Sequence, residues 1–271
     1  MDETTAHTTP FLAAPIDADD PPAYELFNPT GKASLLLICD HASRAIPAEM
    51  GSLGLDPASL ERHIAYDIGA ANVTRRLAER LDAPAVLAGY SRLVIDCNRQ
   101  PGDPQSIPEV SYGTAVPGNR RLANEALEQR VEAFFWPYHH AVINALAHMW
   151  RAGRPPALFS VHSFTPDLEG EDRYWDIGVL WSRDPRMALP LIEKLRALDG
   201  LHVGDNEPYS GKEVAYSIDL HAEAAGLANC AVEIRQDHLE SEAGAERWAA
   251  MLAVALSETL AIEGMHRVEH Y

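Results

Sequence analysis

Two histidines stand at the ends of apolar segments of the chain. His41 follows the run LLLIC at residues 35–39, and His162 lies near the end of ALFSVHSF at residues 157–164. Buried strands of parallel sheets are nearly continuous apolar runs, and ligands of open α/β proteins bind beyond the carboxyl ends of such strands. Two neutral imidazoles and one carboxylate leave the fourth position of a zinc ion open to water, as in hydrolytic zinc enzymes. The pattern predicts a metal site; two purely structural histidines at strand ends are the alternative.

Three carboxylates could complete such a site, namely Asp40, Asp67 and Glu233. Glu233 interrupts the apolar run NCAVEIR, and a buried carboxylate is costly unless it is paired, coordinated or protonated. We predict that Glu233 accepts a proton from water at the metal, and the alternative is a buried ion pair with Arg235 on the same side of the strand. Asp67, in HIAYDIG, is the predicted third ligand, and a polar helix residue that faces solvent is its alternative.

The overall charge limits the partners of this site. The chain of 271 residues has a formal net charge of −18 at pH 7, which argues against nucleic-acid binding because that binding depends on cationic groups. The same charge repels small anionic substrates unless arginines are concentrated near the site, where they outweigh an acidic surface that salt screens over about 10 Å. An enzyme of this composition that acts on a carboxylate must therefore gather arginines locally.

Composition and the first residues favour a cytoplasmic protein. Hydrophobic residues make up 46% of the chain, and no apolar run approaches the roughly 18 residues of a membrane helix. The first residues lack the positively charged start and long apolar centre of a signal peptide. We therefore expect residues 1–30 to be a mobile acidic leader and residues 31–271 to form the functional domain. Cys39, Cys97 and Cys230 are isolated from one another, which is typical of core thiols.

Strand and helix patterns alternate along the chain. The predicted strands and short apolar segments are 34–39, 85–88, 92–97, 157–164, 176–181, a strand near 201, and 229–235. The predicted helices are 56–81, 120–150 with a break near Pro137, 185–198, 217–225 and a terminal helix, and a long loop covers 98–119. This alternation predicts a single α/β domain with a mainly parallel sheet and helices on both faces.

Seven motifs of the chain resemble one enzyme family. In chain order they are CDHASRAIP, ERHIAYDIGA, YSRLVIDCNR, SVHSFTP, IGVLW, DNEPYSG and VEIRQD. Together they resemble the N-formylglutamate amidohydrolases, zinc-dependent enzymes of histidine breakdown, and they cover nearly the whole chain beyond the leader. The resemblance implies a zinc-dependent amidohydrolase that cleaves N-formyl-L-glutamate, or a related N-acyl amino acid, into formate and the amino acid.

A more distant similarity connects two of these motifs with zinc carboxypeptidases. SVHSF and VEIR resemble the strands that carry a zinc ligand and the catalytic glutamate in those enzymes, which implies an α/β/α sandwich on a mixed sheet. In that comparison His41 and His162 match the histidine ligands, and Glu233 matches the general base. Carboxypeptidases take their carboxylate ligand three residues after the first histidine, where this chain has Arg44. The third ligand is therefore expected elsewhere, at Asp67.

The resemblance also implies how a substrate carboxylate is held. The pair Asn98-Arg99 in DCNR is similar to the asparagine-arginine pair that binds the substrate carboxylate in carboxypeptidases, a task suited to a guanidinium fork. The further candidates for substrate binding are Arg44, Arg92, Arg235 and Tyr209. The expected partner is thus a small acidic N-acyl amino acid, with no nucleic acid or membrane. A carboxypeptidase-like peptidase and a non-catalytic binding protein for an acidic amino-acid derivative are the alternatives.

Overall fold

The computed structural model describes residues 20–168 and 170–271. The strands are β1 (Tyr24–Phe27), β2 (Leu35–Cys39), β3 (Ala85–Ala88), β4 (Val110–Ser111), β5 (Thr114–Ala115), β6 (Ala157–Phe164), β7 (Asp167–Leu168), β8 (Glu171–Asp172), β9 (Ile177–Leu180), β10 (Val203–Asp205) and β11 (Asn229–Arg235). The helices are α1 (Pro57–Leu60), α2 (Ala70–Leu81), α3 (Asn124–Arg130), α4 (Trp136–Ala152), α5 (Ala188–Arg196), α6 (Tyr216–His221) and α7 (Glu242–Leu260). None of the described helices combines the length and apolar composition that a membrane crossing requires.

Seven strands form one mixed sheet in the order β1-β3-β2-β6-β11-β9-β10. β1 is antiparallel to β3, and β9 is antiparallel to β11, whereas the other neighbours run parallel. The strands β4 and β5 form a separate short ribbon, as do β7 and β8. The predicted α/β fold with a mainly parallel, mixed sheet is confirmed.

Helices cover both faces of the sheet. Residues of β2 alternate between two apolar clusters: Leu35, Leu37 and Cys39 pack with α2, α5 and α7, whereas Leu36 and Ile38 pack with α4 and α6. Each buried leucine stabilises the fold by about 2 kcal/mol through the removal of apolar surface from water. The uninterrupted apolar run of this strand therefore follows from its burial on both faces.

The helix predicted over residues 56–81 is broken, and the break changes the position of Asp67. Asp56 caps α1 as expected, because its carboxylate accepts a hydrogen bond from the backbone N–H of Ser59 at 2.9 Å. The chain then leaves the helix, and α2 begins only after Gly69. The φ of Gly69 is +79°, and a Cβ atom at this residue would lie only 2.4 Å from the Cβ of Leu239, so the position requires glycine. In the intervening turn the Asp67 N–H donates to the carbonyl oxygen of His41 at 3.0 Å.

Other sequence predictions differ from the structure at their edges. The predicted leader 1–30 extends too far, because Tyr24–Phe27 is a sheet strand paired with Ala85–Ala88. Residues 1–19 lie outside the described residues, and for them the leader stays a prediction. Residues 92–97 form turns without strand pairing. The helix break expected near Pro137 takes the form of a π-helical turn over Val131–Phe135, directly before α4.

Candidate metal centre and substrate cleft

Three neighbouring parallel strands bring the predicted site residues to one edge of the sheet. His41 lies two residues after the end of β2, His162 lies near the end of β6, and Glu233 lies near the end of β11. β6 stands between the other two strands in the sheet. The carboxyl ends of parallel strands meet at a common edge, so residues far apart in sequence become neighbours here.

His41, Asp67 and His162 form a compact group of potential metal ligands. One ligand atom from each lies within 4.8 Å of the others, and all three residues are buried. The Oδ2 atom of Asp67 is 3.3 Å from Nδ1 of His41 and 2.9 Å from Nδ1 of His162. Ligand atoms bound to one zinc ion at about 2.1 Å in a tetrahedron are ~3.3 Å apart. The two distances from Asp67 are thus close to those around a single cation, and the whole group is compact enough to hold one.

A second carboxylate orients each imidazole. Nε2 of His41 is 2.7 Å from Oδ1 of Asp96, and Nε2 of His162 is 3.2 Å from Oδ2 of Asp40 and 3.0 Å from the Ser160 hydroxyl, which itself donates to Asp40. Histidines that bind a metal usually donate their other ring N–H to a carboxylate in this way, which fixes the tautomer and leaves the opposite nitrogen free. The Nδ1 lone pairs of both histidines then point toward Asp67. The donor set therefore fits a divalent cation.

Asp40 lies behind His162 and is held there by two hydroxyl groups. Its Oδ1 accepts hydrogen bonds from the hydroxyl of Tyr138 at 2.9 Å and from that of Ser217 at 2.6 Å. Burial opposes ionisation of Asp40, but the hydrogen bond to His162 and the charge of that imidazole outweigh it and hold the pKa of Asp40 well below its usual value. The Asp40 carboxylate is thus ionised and locked beside His162.

Arg92 holds two of the site carboxylates in place. Its Nη1 is 3.4 Å from Oδ1 of Asp67, and its Nη2 donates to Oδ2 of Asp96 at 2.9 Å. Both branches of the guanidinium are thereby committed to carboxylates. Arg92 lines the cleft as predicted, and its two branches contact the carboxylates of Asp67 and Asp96. Its expected role in substrate binding stays a prediction.

The electrostatics of the cleft favour a bound cation. Burial and the nearby Arg92 lower the pKa of His41, but Asp96 and Asp67 outweigh them and raise it above its usual value. Burial also opposes protonation of His162, yet hydrogen bonds to Asp40 and Asp67 raise the pKa of this imidazole well above its usual value. The carboxylates thus stabilise positive charge at the two imidazoles, and a dication between them would satisfy the same field.

Glu233 has the properties of a proton acceptor. It is buried, and its Oε2 atom has no hydrogen-bond partner among the described residues. Burial raises the pKa of Glu233 to about 7, against the opposing effect of His162. The alternative ion pair with Arg235 is not formed, because that guanidinium lies 3.3 Å from Asp176 and 2.9 Å from Asp237.

The cleft in front of these groups is small and polar. It has about 440 Å³ of free space. The predicted residues that line it are His41, Asp67, Arg92, Asn98, Arg99, His162, Tyr209 and Glu233. Arg99 forms no ion pair within 4.0 Å with a described carboxylate, so its charge is available to a ligand. Oδ1 of Asn98 accepts the backbone N–H of Ser217 at 3.0 Å, which fixes the orientation of this amide.

Tyr209 is held over the cleft by an arginine that the sequence did not reveal. Nη2 of Arg173 donates to the Tyr209 hydroxyl at 2.8 Å, and the guanidinium lies 4.8 Å from the centre of the Tyr209 ring. Because the phenolic oxygen accepts from Arg173, its own O–H remains free to donate to a ligand. No motif pointed to Arg173, since it lies in an irregular segment between β8 and β9.

Two predicted arginines do not line the cleft. Arg44 is half exposed, forms an ion pair with Glu61 and lies 5.9 Å from the ring centre of Tyr66. Arg235 is bound to acidic residues beside the end of β11, as described above. The structure therefore gives Arg44 and Arg235 no contact with the cleft, and their role in substrate binding stays a prediction. The cleft residues that sequence reasoning did not assign are His63, Asp96, Tyr112, Ser163 and Val214. The acidic residue within the apolar run LVIDC was the only available signal for Asp96.

Comparisons with known proteins identify the family of the chain. Residues 33–239 match a family model described as N-formylglutamate amidohydrolase. A crystal structure of a gene product from Agrobacterium tumefaciens is 35% identical to the chain, with a TM-score of 0.86 over 89% of this chain and 95% of that one. The crystal structure of N-formylglutamate amidohydrolase from Ralstonia eutropha is 19% identical, with a TM-score of 0.66 over 87% of this chain and 96% of that one. No curated protein sequence matches the chain.

Proposed function

Because the chain belongs to the N-formylglutamate amidohydrolase family and is therefore a hydrolase of amides, we propose that it releases formate from N-formyl-L-glutamate or cleaves a related acidic N-acyl amino acid. The observation that carries this proposal is the convergence of His41, Asp67 and His162, with a carboxylate behind each imidazole. Such a set is the one that catalytic zinc sites use, because it leaves a coordination position open. The proposed metal is accordingly Zn²⁺.

When bound, Zn²⁺ supplies Lewis acidity, which polarises the scissile carbonyl and lowers the pKa of a water molecule toward neutrality. The residues of the chain supply the remaining functions. Asp96 and Asp40 hold the imidazoles of His41 and His162 in the tautomer that presents Nδ1. Arg92 contacts Oδ1 of Asp67, so that Oδ2 is the oxygen that faces His41 and His162.

Glu233 moves the proton. Its buried Oε2 atom has no protein partner, and a pKa of about 7 suits a group that must both accept and return a proton near neutral pH. Glu233 takes a proton from the attacking water and then delivers it to the amide nitrogen, so that the departing amino acid leaves as a neutral amine. The same carboxyl group therefore serves as base in the first step and as acid in the second.

Arg99 is the proposed ligand of a substrate carboxylate. Its guanidinium lines the cleft, and no described carboxylate neutralises it, in contrast to Arg92. A guanidinium can bind a carboxylate through two parallel hydrogen bonds. Tyr209 is the proposed donor to a second acidic group, because Arg173 takes its lone pair and leaves its O–H free. Together they favour an acidic amino acid over a neutral one.

Formate release tests the proposed function. The purified protein is loaded with zinc and given N-formyl-L-glutamate, and a sample stripped by a chelator serves as the control. Chelator-sensitive release, restored by added Zn²⁺, supports the proposal, and N-formyl-L-glutamine as a matched substrate reports the preference for the acidic side chain. A folded protein with stoichiometric zinc and no formate release would reject this substrate.

A further inference from the structure

A second groove continues from the metal cleft. His63 and Tyr112 line both cavities, and their rings meet edge to face with centroids 5.6 Å apart. Asn98 and Arg99, by contrast, line the metal cleft alone. The groove has about 1190 Å³ of free space, more than the metal cleft. A substrate whose carboxylate is bound by Arg99 in the metal cleft could therefore extend past His63 and Tyr112 into this groove.

The wall of this groove contains a hydrogen-bond donor and an acceptor without partners. The hydroxyl oxygen of Thr165 and the side-chain amide oxygen of Gln236 are buried, and neither has a hydrogen-bond partner among the described residues. Such groups are rare in folded proteins because their desolvation is not compensated. Both residues line the groove, and a side-chain rotation that brings these atoms to its surface would present a hydroxyl donor and an amide-oxygen acceptor, which are together complementary to one amide group through its carbonyl and its N–H.

The charges along the groove argue against an acidic occupant. Glu61 and Asp167 contribute two carboxylates to the lining, and Arg62 contributes one guanidinium. Arg62 donates to the Thr114 hydroxyl at 3.1 Å, which draws it toward the β4–β5 ribbon. Glu61 is also ion-paired with Arg44, so the lining has no excess of positive charge, which a second carboxylate site would need. The groove suits a neutral chain.

We propose that this groove is a subsite for the acyl side of the substrate, and that it binds a neutral acyl chain with an amide group one residue beyond the scissile bond. The orientation of the substrate rests on the proposed function, because it assumes that Arg99 binds the carboxylate. The reaction on such a substrate is the same hydrolysis. The C–N bond breaks, the hydroxyl of water joins the acyl carbon, and the proton joins the amine nitrogen. N-acetylglycyl-L-glutamate would thus give N-acetylglycine and glutamate.

Binding of two ligands to the zinc-loaded Glu233→Gln protein tests the subsite without turnover. The ligands are N-formyl-L-glutamate and N-acetylglycyl-L-glutamate, and calorimetry gives the ratio of their dissociation constants. The longer ligand is expected to bind about tenfold more tightly, since two hydrogen bonds each contribute a few-fold to affinity. Adding Thr165→Val or Gln236→Leu should each reduce this preference about threefold. Gln129→Leu, on the exposed surface of α3, is the matched control that keeps the preference.

The outcomes separate this inference from the proposed function. Equal affinity for the two ligands, or a preference that both Thr165→Val and Gln236→Leu leave intact, would overturn the subsite. Circular dichroism of each variant confirms that it is folded, and the two variants test the wall independently. If the zinc-loaded wild-type protein hydrolyses neither ligand, the proposed substrates are wrong, but the ratio of dissociation constants still decides whether the groove binds the acyl chain.

Discussion

Glu233 lies directly opposite His162 in the parallel pairing of β11 with β6. Neighbouring strands are about 4.8 Å apart, so the register of two central strands places the proposed proton acceptor next to a proposed metal ligand. The same interior position buries the Glu233 carboxyl and raises its pKa to about 7. The position of Glu233 in a central strand therefore explains both its proximity to His162 and its raised pKa.

Replacing the proton acceptor should separate metal binding from turnover. Glu233→Gln keeps the shape of the side chain but cannot accept a proton, and general-base catalysis typically contributes ~10²–10⁴-fold to rate. We expect kcat to fall by about that factor while the zinc content stays stoichiometric. Steady-state kinetics and metal analysis of the same sample check this, with Glu240→Gln on the exposed surface as the control. Retained turnover would exclude Glu233 from the mechanism.

The proposed metal ligands can be tested by comparing a substitution of His162 with a substitution of Arg44, which lies outside the group of potential ligand atoms. His162→Ala removes one imidazole of the three-residue group and should lower the zinc content of the purified protein severalfold or more. Arg44→Ala should leave the zinc content unchanged, because Arg44 is ion-paired with Glu61 outside the cleft. Full metal occupancy in His162→Ala would show that another residue is the ligand.

The central strands of the fold could be predicted from the sequence, because each is an apolar run buried on both faces. The run at 229–235 coincides with β11, and the interruption of that run marked Glu233 as unusual. His41 and His162 followed from the same reasoning, since strand ends are visible in a sequence. These predictions depend on local patterns, which tertiary packing here reinforces.

The remainder of the site depends on contacts that no local pattern encodes. Residues 61–69 have ordinary helix formers, yet the backbone of Asp67 pairs with His41 and breaks the helix. Arg44 and Arg235 adjoin the motifs, but nearby carboxylates draw them away from the cleft. The periodicity of apolar residues indicates whether a segment is a helix or a strand. The partner of a charged side chain depends instead on the fold as a whole.

The carboxylate behind His41 should tune metal affinity. Asp96→Asn removes the negative charge that supports the imidazole and releases one branch of Arg92. Loss of such a partner typically lowers metal affinity about 10–100-fold, and we expect a loss in this range. Competition with a chromophoric chelator measures it. Asp103→Asn is the matched control, since Asp103 caps a turn in the following loop; equal affinity in both variants would contradict the assigned role.

A buried histidine pair should make the fold sensitive to acid. Nδ1 of His139 accepts a hydrogen bond from Nε2 of His221 at 2.7 Å, while Nε2 of His139 donates to the carbonyl oxygen of Cys97 at 2.9 Å. Burial lowers the pKa of His139 to about 4 and that of His221 to about 3, so both are neutral in the folded protein at pH 5. In the unfolded chain both have a pKa near ~6.5 and take up protons there.

The sign of the pH dependence follows from this difference in proton uptake. At these two histidines the unfolded state binds more protons between about pH 6.5 and 4, so their contribution to the free energy of unfolding falls as the pH falls, by ~2 kcal/mol per histidine from pH 7 to 5. His221→Gln removes one of the two groups and should flatten the pH dependence by about 2 kcal/mol. Urea unfolding at pH 7 and pH 5 measures this difference, and His148→Gln, exposed on α4, should retain the wild-type dependence. An equal slope in His221→Gln and His148→Gln would show that folding does not lower the pKa of His221, and the neutral hydrogen-bonded arrangement would then be wrong.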